Sequence, residues 1–489
     1  PSIVLHYPSK RTFIKEIKKG YDLIGISFVL STAHHMMEMC QLIRQYSPAT
    51  KIVLGGYGTV MSDDELRPYC DAICREEGVA FMRRVLGEPG LSIEAYRHPD
   101  IKSRLRVFGI PVTHTAMVFA GLGCPSGCDF CCTSHFFKRK HIKLLPSGAA
   151  IFEVMSKQKN DDPSIEHTIL DEDFLLHRRR ALEFLNCCRK EKTTFSTFCF
   201  ASVRALSHYT FDELLEMGID GVWVGYEGKQ SSYAKLRGAD IDQLIRALQD
   251  HGITVLASMI VGMPYQTDEI ARREFSDLMS DEPALGQFLI YGPTPGTPFY
   301  EKVMAEDLLH GDLVSDRMKY YKKCTGFSAV VKHPFLRRKE IEALQQEFYN
   351  RDFEILGPSI FRVVQVKLNG WKKYKNHKNP LLREKADEFR KKLSMYLAIL
   401  PVAIFGPKIT IKIRIKSLKQ FFQIFKMSPW QGKFYLLASP IMAIGAFMTW
   451  LNVVFKFLAH PFTRIHTYYG RNSGRKPVKR LYVLRQFFL

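Results

Sequence analysis

Over roughly the first 300 residues, short apolar runs that end in glycine or a polar turn alternate with stretches of helical period. The runs 21–29 (YDLIGISFV) and 51–58 (KIVLGGYG) read as buried parallel strands. Between them, 32–48 has helical spacing and stops at Pro48, and 71–88 opens on a third short strand before a further helix. Residues 1–95 are therefore expected to form an open parallel sheet of Rossmann type, with ligands at the C-terminal ends of its strands. Residues 96–114 read as a connector. A second series follows at 115–300, with strand candidates at 115–123 (TAMVFAGLG), 167–173 (HTILDED), 195–203 (FSTFCFASV), 221–227 (GVWVGYE), 253–264 (ITVLASMIVGMP) and 286–298 (GQFLIYGPTPGTP). Helical stretches separate them. Six such units predict a partial (β/α)6 barrel, short of the roughly 250 residues of an eight-unit barrel. The fold class is thus α/β, followed by a helical extension at 301–365 and a mainly helical, basic and apolar region at 366–489.

Composition changes this picture at one end of the chain. The 489 residues exceed a single core, and the 46% hydrophobic and 24% charged fractions exclude a disordered chain. Residues 366–489 hold 25 Lys+Arg against three Asp+Glu, and the rest of the chain holds 45 against 46. The net charge of +21 therefore belongs to the last quarter, and its candidate partners are acidic lipid or nucleic acid. The basic residues interleave with aliphatic ones, as in ITIKIRIKSLKQFFQIF, which favours an anionic membrane surface; no nucleic acid is expected. The 22 residues 434–455 carry no charge, long enough to cross a membrane or to dip into one near Pro440. The 14-residue apolar stretch 393–406 precedes them. Residues 1–10 lack the basic-then-apolar pattern of a signal peptide, so the expected location is cytoplasmic, at the inner face of the membrane.

The eleven cysteines are scattered, as in a reducing compartment where thiols serve metals. Cys124, Cys128 and Cys131 stand out, because GLGCPSGCDFCC places three thiols in one Gly- and Pro-rich loop right after a barrel strand. Three thiolates can hold a [4Fe–4S] cluster with one iron left open. A zinc site or ordinary buried thiols are the alternatives.

Cys124-x3-Cys128-x2-Cys131, with Phe130 before the last cysteine, resembles the hallmark of the radical SAM superfamily, and the likeness runs from about Met117 to Tyr300. The resemblance implies a [4Fe–4S] cluster whose unique iron binds S-adenosylmethionine (SAM), which one electron from an electron donor cleaves to methionine and a 5′-deoxyadenosyl radical. It assigns SAM to the strand ends: Asp171 and Asp173 in LDEDF, Ser202 and Arg204 in ASVR, Glu227 in GYEG and Gly262 in MIVGMP. The same residues have plainer readings, Asp171 and Asp173 as helix caps, Glu227 as a solvated strand end and Arg204 as a rim ion pair. No residue is singled out as catalytic beyond these.

The sheet at 1–95 resembles the cobalamin-binding domain that precedes the barrel in one branch of the superfamily, without the first strand of such domains. Ser27 in GIS, Gly55 and Gly56 in LGG, and Glu76 in REEG match its fingerprints, glycines letting backbone approach a large flat ring. The resemblance implies bound cobalamin; a purely structural domain is the other reading. Together these features lead to the expectation of a membrane-associated methyltransferase acting on an unactivated carbon of a hydrophobic, lipid- or isoprenoid-like substrate held between the barrel mouth and the C-terminal region. A radical cyclase or C–C bond-forming enzyme acting on a tetrapyrrole or lipid is the alternative, with a tRNA-modifying enzyme behind it.

Overall fold

The computed structural model describes residues 4–5, 8–88, 96–107, 110–231, 233–406, 408–455, 463–470 and 482–484. Three parallel strands, β1 (Leu23–Ser27), β2 (Lys51–Gly55) and β3 (Ala72–Ile73), form the first sheet in the order β1-β2-β3. Helix Ala33–Tyr46 crosses from β1 to β2, burying Met36, Cys40 and Ile43. This is the expected open parallel sheet.

Residues 96–114 are not a connector. Here β4 (Asp100–Val107) and β5 (Ile110–Phe119) pair as antiparallel neighbours, Ile101 opposite Met117. The physical reason is an alternation in the sequence: Ile101, Leu105 and Val107 are interleaved with Lys102, Arg104 and Arg106, the period of a strand with two unlike faces. The hairpin β6 (Gly121–Leu122) and β7 (Ile142–Lys143) frames the cysteine loop. The barrel continues through β8 (Glu166–Leu170), β9 (Thr197–Phe200), β10 (Ile219–Glu227), β11 (Thr254–Val261) and β12 (Leu285–Ile290). With β5 these make six parallel strands in sequence order, each falling on its expected run. Their helix-facing residues, among them Val118, Ile169, Cys199, Val222 and Val255, are fully buried in one core with the surrounding helices, as strands covered by helices require.

The C-terminal region lies at the barrel floor, not at its mouth. Helices Ser359–Tyr374 and Pro380–Tyr396 cover the N-terminal ends of the strands. Lys367 Nζ donates to the Asp220 carbonyl (2.7 Å) and the Gly252 carbonyl (3.1 Å). Lys385, fully buried, donates to the Phe195 carbonyl and pairs with Asp220 at 2.9 Å. Lys392 pairs with Glu166 at 2.7 Å. Against burial, the three ammonium groups hold the Asp220 carboxyl well below its usual range, while burial pulls Lys367 down to about 7. Two of the cations that make the last quarter basic, Lys367 and Lys385, are therefore interior groups, and a third, Lys392, is half-buried. The stretch 393–406 is also interior in part, since Leu393, Leu397, Leu400 and Ile404 pack with Phe361, Val364 and Leu368.

Residues 434–455 divide into a 3-10 turn, Phe434–Ala438, and the 17-residue helix Ser439–Phe455. No helix among the described residues is long and apolar enough to cross a membrane. The region is not wholly helical: β13 (Thr463–Gly470) pairs antiparallel with β4, and β14 (Tyr482–Leu484) with β13, extending the barrel's sheet.

The first sheet and the barrel share a core. Phe28, Leu30 and Met36 on one side pack with Ile260, Tyr291, Phe299 and Tyr320 on the other. Tyr321 OH donates to the Glu65 carboxylate at 2.8 Å, and Arg317 donates to Tyr300 OH at 2.7 Å and lies over the rings of Tyr300, Tyr320 and Tyr321. This contact turns the C-terminal ends of the first sheet toward the barrel mouth.

Candidate active site at the barrel mouth

A cavity of about 740 Å³ opens at the C-terminal ends of the barrel strands. The cysteine loop forms one wall. Gly123 and Gly127 adopt left-handed backbone, which lets the loop fold back between β6 and the helix Cys132–Phe136. Ser134 ties it together, its hydroxyl donating to the Cys124 carbonyl at 2.7 Å and accepting from the Gly127 amide at 3.0 Å. Cys124, Cys128 and Cys131 all line the cavity, whereas Cys132 opens the helix and does not. Burial pushes the Cys128 thiol up to about 11, so an electropositive ligand is needed to make it a thiolate.

These residues fit an iron–sulfur cluster. Three soft sulfurs line one cavity, the thiolate donor set that a [4Fe–4S] cluster takes.

The loop is anchored from below by a contact no local pattern reveals. The Asp129 carboxylate accepts from Tyr233 OH (2.7 Å) and Tyr291 OH (2.9 Å), and Phe130 packs edge-on against both rings. Beside it, Glu227 and Lys235 form an ion pair in the cavity wall, with Lys235 Nζ 5.6 Å from the Phe130 ring centre. Burial would lower the Lys235 pKa, but the Glu227 charge outweighs it and holds the ammonium above its ordinary value. Glu227 takes left-handed backbone (φ 59°), which turns its carboxylate inward from the end of β10; it is not a solvated strand end.

The strand-end acids divide by role. Asp171 receives Arg180 and His141 (3.1 Å), which hold its carboxyl below the usual range against the opposing effect of burial. Asp173 accepts from the Ser202 amide at 3.2 Å, and burial pushes it up to about 6. The Ser202 hydroxyl caps the helix Val203–Leu206 by accepting from the Ala205 amide. Between the two aspartates, Glu172 has one oxygen 3.4 Å from Tyr57 OH, and burial raises its pKa against the backbone amides of Glu172 and Gly123. Glu172 belongs to the same acidic run, LDEDF, whereas no sequence pattern points to Tyr57.

Two expected SAM residues are not placed with the rest. Arg204 sits in the helix after Ser202 and does not line the cavity. Gly262 also lies outside it: its amide donates to Gln266 Oε1 at 2.7 Å, and a Cβ there would meet Ile341 at 3.0 Å, so this glycine (φ 81°) serves packing against the helix Arg338–Leu356. Ser258 and Ile260, nearby on β11, take the wall position instead. The remaining walls are apolar, including Phe119, Phe200, Trp223, Leu289 and Val330.

In the first domain, Gly25, Ser27, Val29 and Gly56 are exposed at the end of the sheet, and a Cβ at Gly25 or Gly78 would meet nothing within 4 Å. That open shelf fits a flat ring. Gly55 packs in ordinary contact with Cys74, and Glu76 pairs with Arg84 at the exposed edge.

Comparison with known proteins agrees with this division. Residues 4–86 match the B12 binding domain and residues 118–275 the radical SAM superfamily. The chain is a radical SAM enzyme whose barrel follows a B12-binding domain, and its cofactors are a [4Fe–4S] cluster, SAM and cobalamin. It is 22% identical to the anaerobic magnesium-protoporphyrin IX monomethyl ester cyclase of Rubrivivax gelatinosus, over 69% of this chain and 73% of that one. It is 23% identical to an uncharacterized methyltransferase of Pyrococcus horikoshii, over 68% of this chain and 79% of that one. Its fold is similar to that of the radical SAM methyltransferase TsrM from Kitasatospora setae with cobalamin and [4Fe–4S] cluster bound, with TM-score 0.52, 14% identity, and coverage of 77% of this chain and 89% of that chain.

Proposed function

We propose that the enzyme methylates an unactivated carbon of a hydrophobic substrate. The observation that carries this reading is the wall chemistry of the mouth. Phe119, Phe200, Trp223, Leu289 and Val330 offer an apolar bed between the cysteine loop and Tyr57 of the B12-binding domain, so a greasy body would lie between the two cofactor sites. Within it the Glu172 carboxylate, which lines the cavity, is suited to accept from one hydroxyl or amine of the substrate.

When bound, the cluster and SAM supply hydrogen-atom abstraction and cobalamin supplies the methyl group. The chain's own residues do the rest. Cys124, Cys128 and Cys131 would hold the cluster. Asp129, through Tyr233 and Tyr291, fixes the loop that carries them. Glu227 and Lys235, an ion pair in the cavity wall, would hold the polar groups of SAM. The apolar wall excludes water from a reactive carbon. Overall, the substrate C–H, two SAM and two electrons from an external donor would give the C–CH₃ product, 5′-deoxyadenosine, methionine and S-adenosylhomocysteine.

Anaerobic turnover of the reconstituted enzyme with cell lipid extract tests this by product mass. A gain of one CH₂ unit in an apolar product is the expected result; loss of two hydrogens refutes methylation and favours the cyclase reading, which the cyclase relative also supports.

A further inference from the structure

The helix Ile411–Met427 is built inside out. Its buried face is Ser417 (1% exposed), Gln420 (3%) and Ile424 (0%), with Gln420 donating to the Phe361 carbonyl and to Gln365 Oε1. Its apolar stripe faces outward: Ile411 is 77% exposed, Ile415 50%, Leu418 36% and Phe422 64%. At 100° per residue these four fall within roughly 60° of arc, on the side opposite the buried face. Exposed Lys412, Lys416, Lys419 and Lys426 form a second row beside them. Trp430, Phe434 and Leu437, each more than half exposed, carry the apolar surface onward, as do Phe447 and Trp450 on the helix Ser439–Phe455.

A face of this kind needs an occupant. Residues 408–455 contain seven Lys or Arg and no Asp or Glu. A second copy of the chain would set like charges against like charges, so self-association through this face is disfavoured. Anionic lipid answers both rows at once, aliphatic and aromatic side chains entering the acyl boundary and lysines meeting headgroups.

We infer that the helix Ile411–Met427, with the aromatic surface of 430–455, docks the enzyme on an anionic membrane by lying in its plane. The floor helices Ser359–Tyr374 and Pro380–Tyr396 join this surface to the barrel. Docking does not depend on the methylation reading.

The test is flotation of the full-length, reconstituted enzyme with vesicles of phosphatidylcholine, with and without phosphatidylglycerol. The wild type is expected to float with the anionic vesicles and to be released by high salt. Replacing Ile415→Ser, Leu418→Ser and Phe422→Ser together, or Lys412→Glu, Lys419→Glu and Lys426→Glu together, is expected to lower vesicle partitioning by about tenfold or more. Iron content and melting temperature should stay at wild-type values in both, since all six side chains are exposed. A wild type that stays in solution overturns the inference, as do variants that partition like the wild type. It is equally overturned if the apolar variant turns a lipid-free dimer into a monomer, for the face then belongs to a second copy.

Discussion

Tyr57, from the loop after β2, reaches across the domain junction to within 3.4 Å of Glu172, which follows β8. The tyrosine is held in place by the rings of Phe136 and Phe137 from the segment after the cysteine loop. One hydrogen bond thus joins the B12-binding domain, the barrel and the neighbourhood of the cluster. Glu172→Gln keeps the shape but removes the charge; turnover is expected to fall about tenfold to a hundredfold, the worth of a hydrogen bond to a charged group. Tyr57→Phe should fall less. Iron and cobalamin content, measured alongside the rate, should not change in either.

Cys124→Ala, Cys128→Ala and Cys131→Ala should each reduce iron from about four per chain to near zero after anaerobic reconstitution. Cys132→Ala should keep its iron, because Cys132 leaves the loop at the start of the helix. A zinc-type spectrum or retained iron in the first three would remove the basis of the assignment.

Lys235→Met leaves the buried Glu227 carboxylate without its cation. The melting free energy should drop by about 1–3 kcal/mol, less than a fully enclosed pair because Lys235 keeps some solvent contact. The double variant Lys235→Met, Glu227→Gln should recover most of that loss in a denaturant titration, while binding SAM more weakly than the wild type.

Asp173 gives a pH signature. Its folded pKa, about 6, lies above the unfolded 3.8. The folded state therefore binds the proton more tightly. Relative to Asp173→Asn, the wild type is stabilised below about pH 4 and loses that advantage as pH rises through 6. The expected difference across this window is about 1–3 kcal/mol, and chemical denaturation at pH 4, 5, 6 and 7 measures it.

At the barrel floor, Asp220→Asn exposes Lys367, Lys385 and Lys392 to one another without their shared counter-charge. A loss of about 3–5 kcal/mol is expected, as for other broken buried pairs. Adding Lys385→Met should return part of it.

The cysteine triad was legible in the sequence because its members are separated by only three and two intervening residues, and a loop of that length can only place them together. The six barrel strands were legible because each is an apolar run bounded by turns. What escaped was long-range. Asp129 meets Tyr233 and Tyr291 from positions 104 and 162 residues away, and β13 reaches β4 across more than 350 residues, so no local window carries either contact. Buried Lys385 and solvated Lys419 are the same letter; only the carboxylate beneath the first distinguishes them. Gly262 shows a related ambiguity: a glycine with φ 81° records that space or conformation was demanded, not whether a cofactor or Ile341 demanded it.

The lysines of the floor helices fix which way the molecule faces. They fasten the outward apolar helix to the end of the barrel farthest from the cavity, so an enzyme resting on a bilayer through that helix holds its opening toward the aqueous side. A hydrophobic substrate of the kind proposed would then have to arrive by water, in the grip of a carrier or another enzyme, and would not slide in from the lipid beneath.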